Sequence, residues 1–194
     1  LGDFAPIVRT LLQYEANSNL PGYGGMSPMH DVASTGNLEI AKILVEESQM
    51  QDDIDINVQD PTYGYSPIMV AARSGFDEMV LLLCSLLCSV ELVDYSSWTV
   101  AHHCSLANNP ATVNHLREMV TEFDAVDYDG NTPMHVAAEN GNDLTLKELL
   151  SLGAMPSPQN YIGNQPAHLA AMNNHVSCLN LLVRYDEHIG RVNY

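Results

Sequence analysis

One short motif recurs along the chain at a constant spacing. Its clearest copy, Thr-Pro-Met-His-Val-Ala-Ala, begins at Thr132. Related copies begin at Ser66, Thr99 and Gln165, so the last four openers are equally spaced, and a further copy begins at Ser27, where the interval to the next opener is longer. A fixed period of about 33 residues is typical of stacked supersecondary units rather than of one compact core. The period therefore constrains the fold more strongly than any other feature of the sequence.

Each copy is flanked by residues that mark the ends of helices. Pro follows four of the five opening residues, where the first turn of a helix tolerates a missing N–H, and an opening Ser or Thr can cap that helix. At a fixed offset after each opener comes a Gly or Asn, which tolerate a positive φ, at Gly36, Gly75, Asn108, Gly141 and Asn174. An apolar helical stretch follows. We therefore predict for each unit a hairpin turn, a short helix, a tight turn and a longer helix.

The motif and its period resemble the ankyrin repeat, whose pattern includes a TPLHxAA segment and a 33-residue period. The resemblance covers essentially the whole chain. It implies an all-α solenoid with short β-hairpin tips, built from about six stacked helix-turn-helix units. We expect a single ankyrin-repeat domain over residues 1–194, with a partial repeat at 1–22 and repeats at about 23–61, 62–94, 95–127, 128–160 and 161–194. Because residues 2–19 match only the second helix and exit of a repeat, we expect a fragment of a longer protein.

Charge and cysteine usage restrict the partners of the chain and its compartment. With 24 acidic and 7 basic residues the net charge is −17, which disfavours direct contact with nucleic acid because phosphate binding needs clustered Lys and Arg. A protein or peptide with a basic surface would be attracted instead, although acidity that only maintains solubility is an equal alternative. No apolar run is long enough for membrane insertion. The four Cys lack the spacing of a disulfide framework, so we expect an intracellular protein, cytoplasmic or nuclear.

Two sets of side chains could carry chemistry if they converged in space. His30, His102, His135 and His168 share one repeat position, and the family resemblance implies a structural role for it in the turn region. Zinc could be bound by Cys84, Cys88, His102, His103 and Cys104. Core packing is the preferred interpretation, because Cys84 lies in an apolar run and Cys104 replaces a small packed Ala. No nucleophile–base arrangement or phosphate-binding loop is present, so we predict no enzyme activity, no metal site and no cofactor.

An acidic insertion lengthens the first complete repeat. The interval from Ser27 to Ser66 holds six extra residues, in a segment rich in carboxylates. A solvated loop is the simpler interpretation, and a docking site for a basic segment is the alternative. The candidate docking residues are Glu46, Glu47, Asp52, Asp53 and Asp55.

The repeat opened by Thr99 departs most from the pattern. Val100 replaces Pro, Cys104 replaces the first Ala, and His115 lies where an apolar residue is expected. We therefore predict that this repeat is the least stable unit.

The resemblance also implies where partners bind, namely a concave surface made of hairpin tips and the first helix of each unit. The tips carry most of the aromatic residues, and interfaces concentrate binding energy in Tyr, Trp and Arg. Shielding of the adjacent hairpin is the alternative role for these rings. The predicted partner-binding residues are Tyr63, Tyr65, Arg73, Tyr95, Trp98, Leu106, Tyr128, Asp129, Glu139 and Tyr161.

These residues predict a non-catalytic protein–protein interaction module that grips a protein or peptide in the groove. The alternative is an in-cis regulatory or scaffolding domain of a larger enzyme, channel or transcriptional regulator. The missing flanking sequence would separate the two. Self-association and the identity of the partner are left open at this stage.

Overall fold

The computed structural model describes residues 4–48, 54–120 and 122–192. Over those ranges the chain is helical without a β-strand, which confirms the all-α prediction. None of these helices combines the length and apolarity needed to cross a bilayer. The helices are α1 (Ala5–Gln13), α2 (Pro28–Thr35), α3 (Leu38–Ser48), α4 (Pro67–Ser74), α5 (Asp77–Ser85), α6 (Val100–Leu106), α7 (Pro110–Leu116), α8 (Pro133–Glu139), α9 (Asp143–Ser151), α10 (Pro166–Met172) and α11 (Val176–Val192), with a short 3₁₀ turn at Tyr23–Gly25.

The chain divides into two compact units, Leu1–Tyr95 and Ser96–Tyr194. In both, the helix that follows an opener packs against the corresponding helix of the next repeat. In the first unit α2 packs on α4 and α1 on α3; in the second, α8 lies between α6 and α10, and α7 packs on α9. Each opener helix also contacts the longer helix of its own repeat. Both units are therefore helix-on-helix stacks, as the period predicts.

The opener helices begin in the same way in each repeat. Ser27, Ser66, Thr99, Thr132 and Gln165 are extended, and all but Thr99 are followed by Pro in the first helical turn. In four of the five repeats a His lies three residues later, and its Nδ1 accepts the backbone N–H of the opener, at 3.1 Å in His135. This reciprocal capping satisfies N–H groups that a helix start leaves without partners. The motif is therefore a helix-start signal.

Three of these histidines also connect consecutive repeats. The rings are at most 1% exposed, and Nε2 lies 2.8 Å from the Tyr65 carbonyl for His30, 3.1 Å from that of Asn131 for His102, and 3.0 Å from that of Asn164 for His135. Because Nδ1 accepts a backbone N–H, the ring proton resides on Nε2, which donates. The structural role expected for the histidines is confirmed at these three positions.

Among the residues that the structure describes, two repeats lack this hydrogen bond from their own opener helix to the next tip. His168 is exposed, and its Nδ1 accepts the Gln165 N–H at 2.9 Å. The repeat opened by Ser66 has Met69 at the histidine position, and the Met69 sulfur accepts the Ser66 N–H at 3.5 Å. A thioether can accept this bond but has no proton to donate. Met69 therefore still caps the helix start, whereas a hydrogen bond donated to the carbonyl of the next tip requires His.

The hairpin tips are turns rather than strands. A buried Asp or Asn at the start of the tip accepts backbone N–H groups from its far side: Asp60 from Tyr65 at 2.7 Å, Asp127 from Asn131 at 2.7 Å, and Asn160 from Asn164 at 2.8 Å. Such side-chain turns shape the loop locally. Backbone bonds then join consecutive tips, from Tyr95 N to Tyr63 O at 2.9 Å and from Tyr161 N to Asp129 O at 3.0 Å.

The repeat opened by Thr99 buries unusual residues. Val100 and Cys104 are at most 1% exposed, whereas His115 lies exposed on α7. Ser105 occupies a position that is Ala72 and Ala138 in other repeats, and it is also fully buried. Its hydroxyl has no hydrogen-bond partner among the described residues. A buried hydroxyl without a partner carries a desolvation cost that Ala avoids.

Ser105→Ala is therefore expected to raise the free energy of unfolding by roughly 1 kcal/mol. The measurement is urea unfolding followed by circular dichroism. Ser177→Ala, at an exposed position of α11, controls for the general gain in helix propensity. A stability gain at Ser105 no larger than that at Ser177 would contradict the buried-hydroxyl explanation.

Burial lowers the pKa of His135 below its ordinary value of 6.5, against smaller opposing effects from the Asn164 carbonyl and the Asp127 and Glu139 carboxylates. The unfolded chain then binds this proton more readily than the folded one. The stability contribution of the neutral ring is complete above pH 6.5 and is lost as the pH falls from there toward the lower folded-state pKa.

His135→Met, which imitates Met69, should flatten this acid-side loss of stability while reducing stability at neutral pH. The measurement is the melting temperature across this pH range for wild type, His135→Met and the control His115→Met, which replaces an exposed histidine. Equal pH slopes for wild type and His135→Met would show that this ring does not couple folding to protonation.

Candidate functional site

In the first unit, three predicted partner-binding residues form one aromatic and cationic surface. The rings of Tyr63 and Tyr65 stack with centroids 5.2 Å apart, and the Arg73 guanidinium lies 5.7 Å from the centre of the Tyr65 ring. Burial raises the pKa of the Tyr65 hydroxyl, with Arg73 acting in the opposite direction. Tyr63 remains 56% exposed. The arrangement presents a flat ring and a cation at the junction of the tip and α4.

Two of the predicted aromatics cover a glycine in the preceding tip. A Cβ built on Gly64 would lie 2.6 Å from Tyr95, and one built on Gly130 would lie 2.7 Å from Tyr161. Each tyrosine is nevertheless more than half exposed, at 58% for Tyr95 and 73% for Tyr161. Each ring therefore shields a neighbouring tip and retains substantial area for a partner.

Trp98 is tied to the structure of its own unit. Its indole Nε1 donates to the Asp127 carboxylate at 3.1 Å, and its ring lies 5.7 Å from His102 and 5.3 Å from His103. The side chain is half-buried. Trp98 therefore stabilises the next tip, independently of any contact with a partner.

Tyr128 and Leu106 differ in their exposure. Tyr128 is 70% exposed at its tip. Leu106 is half-buried at the end of α6, where its carbonyl accepts the Asn142 side-chain amide at 3.0 Å. Tyr128 is thus the more accessible of these two predicted residues.

The second unit contains an open pocket of about 370 Å³ between two consecutive tips and their opener helices. Three predicted residues, Asp129, Glu139 and Tyr161, contribute to its wall. The volume lies within the range of about 300–1,000 Å³ usual for binding pockets. The remaining lining residues are Asn131, Asn160, Ile162, Asn164 and Leu169.

A rigid amide network supports this pocket. Asn160 is 8% exposed, and its amide donates to the Asn131 side-chain oxygen at 2.8 Å. The Asn160 oxygen accepts the Asn164 N–H, and His135 donates to the Asn164 carbonyl. These bonds use the amide groups for support and leave the charged groups of the pocket available.

The charged groups of the pocket are both carboxylates. Asp129 and Glu139 are exposed, and within the described parts of the chain neither carboxylate accepts a hydrogen bond or pairs with a cation. Ile162 and Leu169 provide apolar surface beside them. The pocket thus combines negative charge, aliphatic surface and one aromatic ring.

Five pocket residues were not predicted as part of a site, namely Asn131, Asn160, Ile162, Asn164 and Leu169. Asn160 follows Asp127 by one full period of the repeat, and Asp127 follows Asp94 by the same interval. This recurrence was available in the sequence and marks the residue that shapes each tip. The contact from Asn160 to Asn131 links different repeats, and no local pattern indicates it.

The acidic insertion lies only partly within the described residues. Glu47 pairs with Arg9 at 2.8 Å, and the Asp55 carboxylate accepts the Asn57 N–H at 2.9 Å. Glu46 is exposed, whereas Asp52 and Asp53 lie outside the described residues. Docking of a basic segment on this loop stays a prediction.

The thiols are placed mainly in packed positions. Cys88, Cys104 and Cys178 are buried, and Cys84 is half-buried. A hydrogen bond between the Cys84 and Cys88 side chains lowers the pKa of Cys84 and raises that of Cys88. Burial raises the pKa of Cys178 to about 11. In the ranges the structure describes, no three His, Cys, Asp or Glu side chains are grouped to hold a metal ion.

Two curated proteins are similar to part of the chain. The human transient receptor potential cation channel subfamily A member 1 is 30% identical over 106 residues, which are 55% of this chain and 9% of the channel. A probable E3 ubiquitin-protein ligase of Oryza sativa subsp. japonica is 32% identical over 102 residues, which are 52% of this chain and 18% of the ligase. The chain thus spans less than a fifth of either relative.

The family comparison covers nearly the whole chain. A family model described as ankyrin repeats (3 copies) matches residues 2–94 and again residues 101–193. The two matches follow the two compact units closely. With its recurring helix pairs, capped openers and matched length, the chain belongs to the ankyrin repeat family.

Proposed function

We propose that the chain is a non-catalytic module that binds a protein or peptide on the surface formed by its tips and opener helices. The family indicates a protein-interaction module. The observation that carries the proposal is the pocket of the second unit, where Asp129, Glu139 and Tyr161 meet. Its lining combines two carboxylates with aliphatic and aromatic surface, a composition that suits the binding of a basic side chain.

A Lys or Arg side chain of the partner matches this pocket. Its aliphatic stem would lie against Ile162 and Leu169, and its charged head would reach the Asp129 and Glu139 carboxylates. The net charge of −17 would also speed the approach of a basic partner. We therefore propose a partner with a basic side chain next to an apolar one.

The Tyr63, Tyr65 and Arg73 surface of the first unit is a further proposed contact area. Stacked tyrosines offer rigid apolar area, and Arg73 offers a cation that suits an acidic or aromatic group of the partner. Because its charge is opposite to that of the pocket, it would recognise a different part of the partner.

A regulatory role in cis is the second candidate. Both relatives are much longer than the segment that they share with this chain, and their names describe a cation channel and a ubiquitin ligase. We propose that the module belongs to a larger polypeptide, where its ligand could be another domain of that polypeptide. All four cysteines are free thiols, which supports an intracellular location.

Selection of peptides from a displayed random library on the immobilised chain tests the proposed pocket. Enriched peptides should share a Lys or Arg beside an aliphatic residue. For a selected peptide, Asp129→Asn combined with Glu139→Gln should weaken binding by about 1 kcal/mol per charge removed and reduce its salt dependence. Fluorescence anisotropy of the labelled peptide gives the dissociation constants.

Glu122→Gln is the matched control, since it removes an exposed carboxylate that does not line the pocket. Enriched peptides that lack Lys and Arg would argue against the acidic pocket. Equal losses of affinity in the double variant and the control would do the same. If the double variant still binds the peptide but Arg73→Gln does not, the proposed contact lies in the first unit.

Tyr128→Ala tests the aromatic tips separately. Because the ring is 70% exposed, its removal should leave the melting temperature nearly unchanged while weakening a partner that uses this tip by about 2 kcal/mol. Trp98→Ala is a poorer test, since it also removes the bond to Asp127. Unchanged affinity in Tyr128→Ala for every selected peptide would remove this tyrosine from the proposed surface.

A further inference from the structure

Two cysteines of the first unit bring their thiols together at the end of α5. Cys84 lies in the last turn of this helix and is half-buried, whereas Cys88 follows the helix and is 4% exposed. Their side chains share a hydrogen bond. Cys104 and Cys178 are fully buried. Of the four thiols, that of Cys84 is therefore the one that a dissolved reagent reaches most easily.

The backbone after α5 folds Cys88 back over the end of the helix. The Leu87 N–H donates to the Cys84 carbonyl at 3.0 Å, and the Cys88 N–H donates to the Leu83 carbonyl at 3.2 Å. This pair of bonds is a Schellman motif, which includes one residue in the left-handed region. Leu87 is that residue, with a φ of 60°. The local turn therefore brings the two cysteines into contact.

The turn that ends α9 has the same backbone without a cysteine. Leu150 and Ala154 take the places of the two cysteines there, and both are buried. The Ala154 N–H donates to the Leu149 carbonyl at 3.1 Å, which is the bond that Cys88 makes in its own turn. The repeat thus builds this turn from an aliphatic pair as well, so the fold does not require thiols at these positions.

The two thiols differ in the way that an attacking and a resolving cysteine differ. The hydrogen bond from Cys88 lowers the pKa of Cys84, with burial acting in the opposite direction, whereas the same bond and burial raise the pKa of Cys88. The negative end of the α5 dipole also opposes a thiolate at Cys84, so the contact with Cys88 is what favours it. Accessible cysteines of lowered pKa that lie next to a resolving cysteine are the ones that oxidants modify.

We propose that Cys84 and Cys88 form a redox modification site, at which a hydroperoxide converts the two thiols into one disulfide within the chain. The Cys84 sulfur attacks the terminal oxygen of the hydroperoxide, the O–O bond breaks, and the leaving alkoxide takes up the thiol proton. Cys84 is then a sulfenic acid. The Cys88 sulfur attacks the Cys84 sulfur and displaces its hydroxyl group, which leaves as water with the Cys88 proton. The pair loses two hydrogens, and the hydroperoxide is reduced to an alcohol and water.

The disulfide would close a turn that contacts the acidic insertion. Thiols in hydrogen-bond contact lie near the geometry of a disulfide, which places the two Cβ atoms roughly 3.5–4.5 Å apart. Directly after the turn, the Ser89 N–H donates to Asn57 Oδ1 at 2.7 Å, and the Asn57 N–H donates to the Asp55 carboxylate. Oxidation therefore restrains the turn to which the end of the acidic insertion is attached.

Titration of the reduced chain with hydrogen peroxide tests this proposal. Free thiols counted after denaturation should fall by two, from four, before Cys104 or Cys178 reacts. Mass spectrometry of the tryptic peptide 74–117, which contains Cys84, Cys88 and Cys104, should place the disulfide between the first two. A dithiol reductant should restore all the thiols. Amide exchange at Ser89 and Asn57 should be slower in the oxidised chain.

Cys88→Ala separates reactivity from packing, because Ala154 occupies the corresponding position of the α9 turn. This variant should slow the alkylation of Cys84 by iodoacetamide, since the Cys84 thiolate loses its hydrogen bond, and peroxide should leave a sulfenic acid that dimedone traps. Cys84→Ala should abolish the loss of thiols at low peroxide. Cys178→Ala is the matched control and should form the disulfide as wild type does. Melting temperatures confirm that each variant is folded.

Oxidation of Cys104 or Cys178 ahead of the pair would overturn the proposal, as would a disulfide that joins two copies of the chain. Equal alkylation rates of Cys84 in wild type and Cys88→Ala would also overturn it, because the contact with Cys88 would then not activate the thiol. Identical amide exchange at Ser89 and Asn57 in the reduced and oxidised chains would refute the effect on the insertion.

Discussion

The two-sided hydrogen bonding of the buried histidines is the interaction on which each stack depends. One ring nitrogen accepts the N–H of the opener and starts the helix, and the other donates to a carbonyl of the next tip, as His135 does to Asn164. A neutral imidazole is well suited to both bonds, because it carries one acceptor and one donor on opposite sides of a rigid ring. The bond that starts a helix and the bond that stacks repeats are therefore made by one side chain.

The hydrogen bonds of the buried histidines also position the loops of the proposed binding surface. Asn164, whose carbonyl His135 holds, lines the pocket and is bonded in turn to Asn160, which reaches Asn131 in the preceding tip. The Asn131 and Asn160 amide groups are engaged in this support, whereas the Asp129 and Glu139 carboxylates stay available for the proposed contact with a partner. The hydrogen bonds from His135 and between Asn160 and Asn131 hold the tips that form the wall of this pocket.

The same contacts give the aromatic residues at the tips a structural role beside their proposed contact with a partner. Tyr161 lies over Gly130, where the absence of a side chain permits close approach, and Trp98 donates to Asp127. The two roles weighed for these rings, shielding a neighbouring tip and contacting a partner, are compatible because a large ring has two faces and an edge. Tyr128, which is more exposed than Trp98, separates the two roles most clearly.

The sequence by itself determined the helices and their order, because capping and a fixed period act over neighbouring residues. The family resemblance carried by its motif implied the structural role of His30, His102 and His135. It also indicated Asp129, Glu139 and Tyr161 through their positions in the repeat. Only the tertiary structure decided that these three share one pocket with Asn131, Asn160 and Asn164, and that no described residue provides a partner for the buried Ser105 hydroxyl. The reason is physical: a residue's place in the repeat follows from local periodicity, whereas its contacts depend on which side chains of the adjacent repeat face it across the stack.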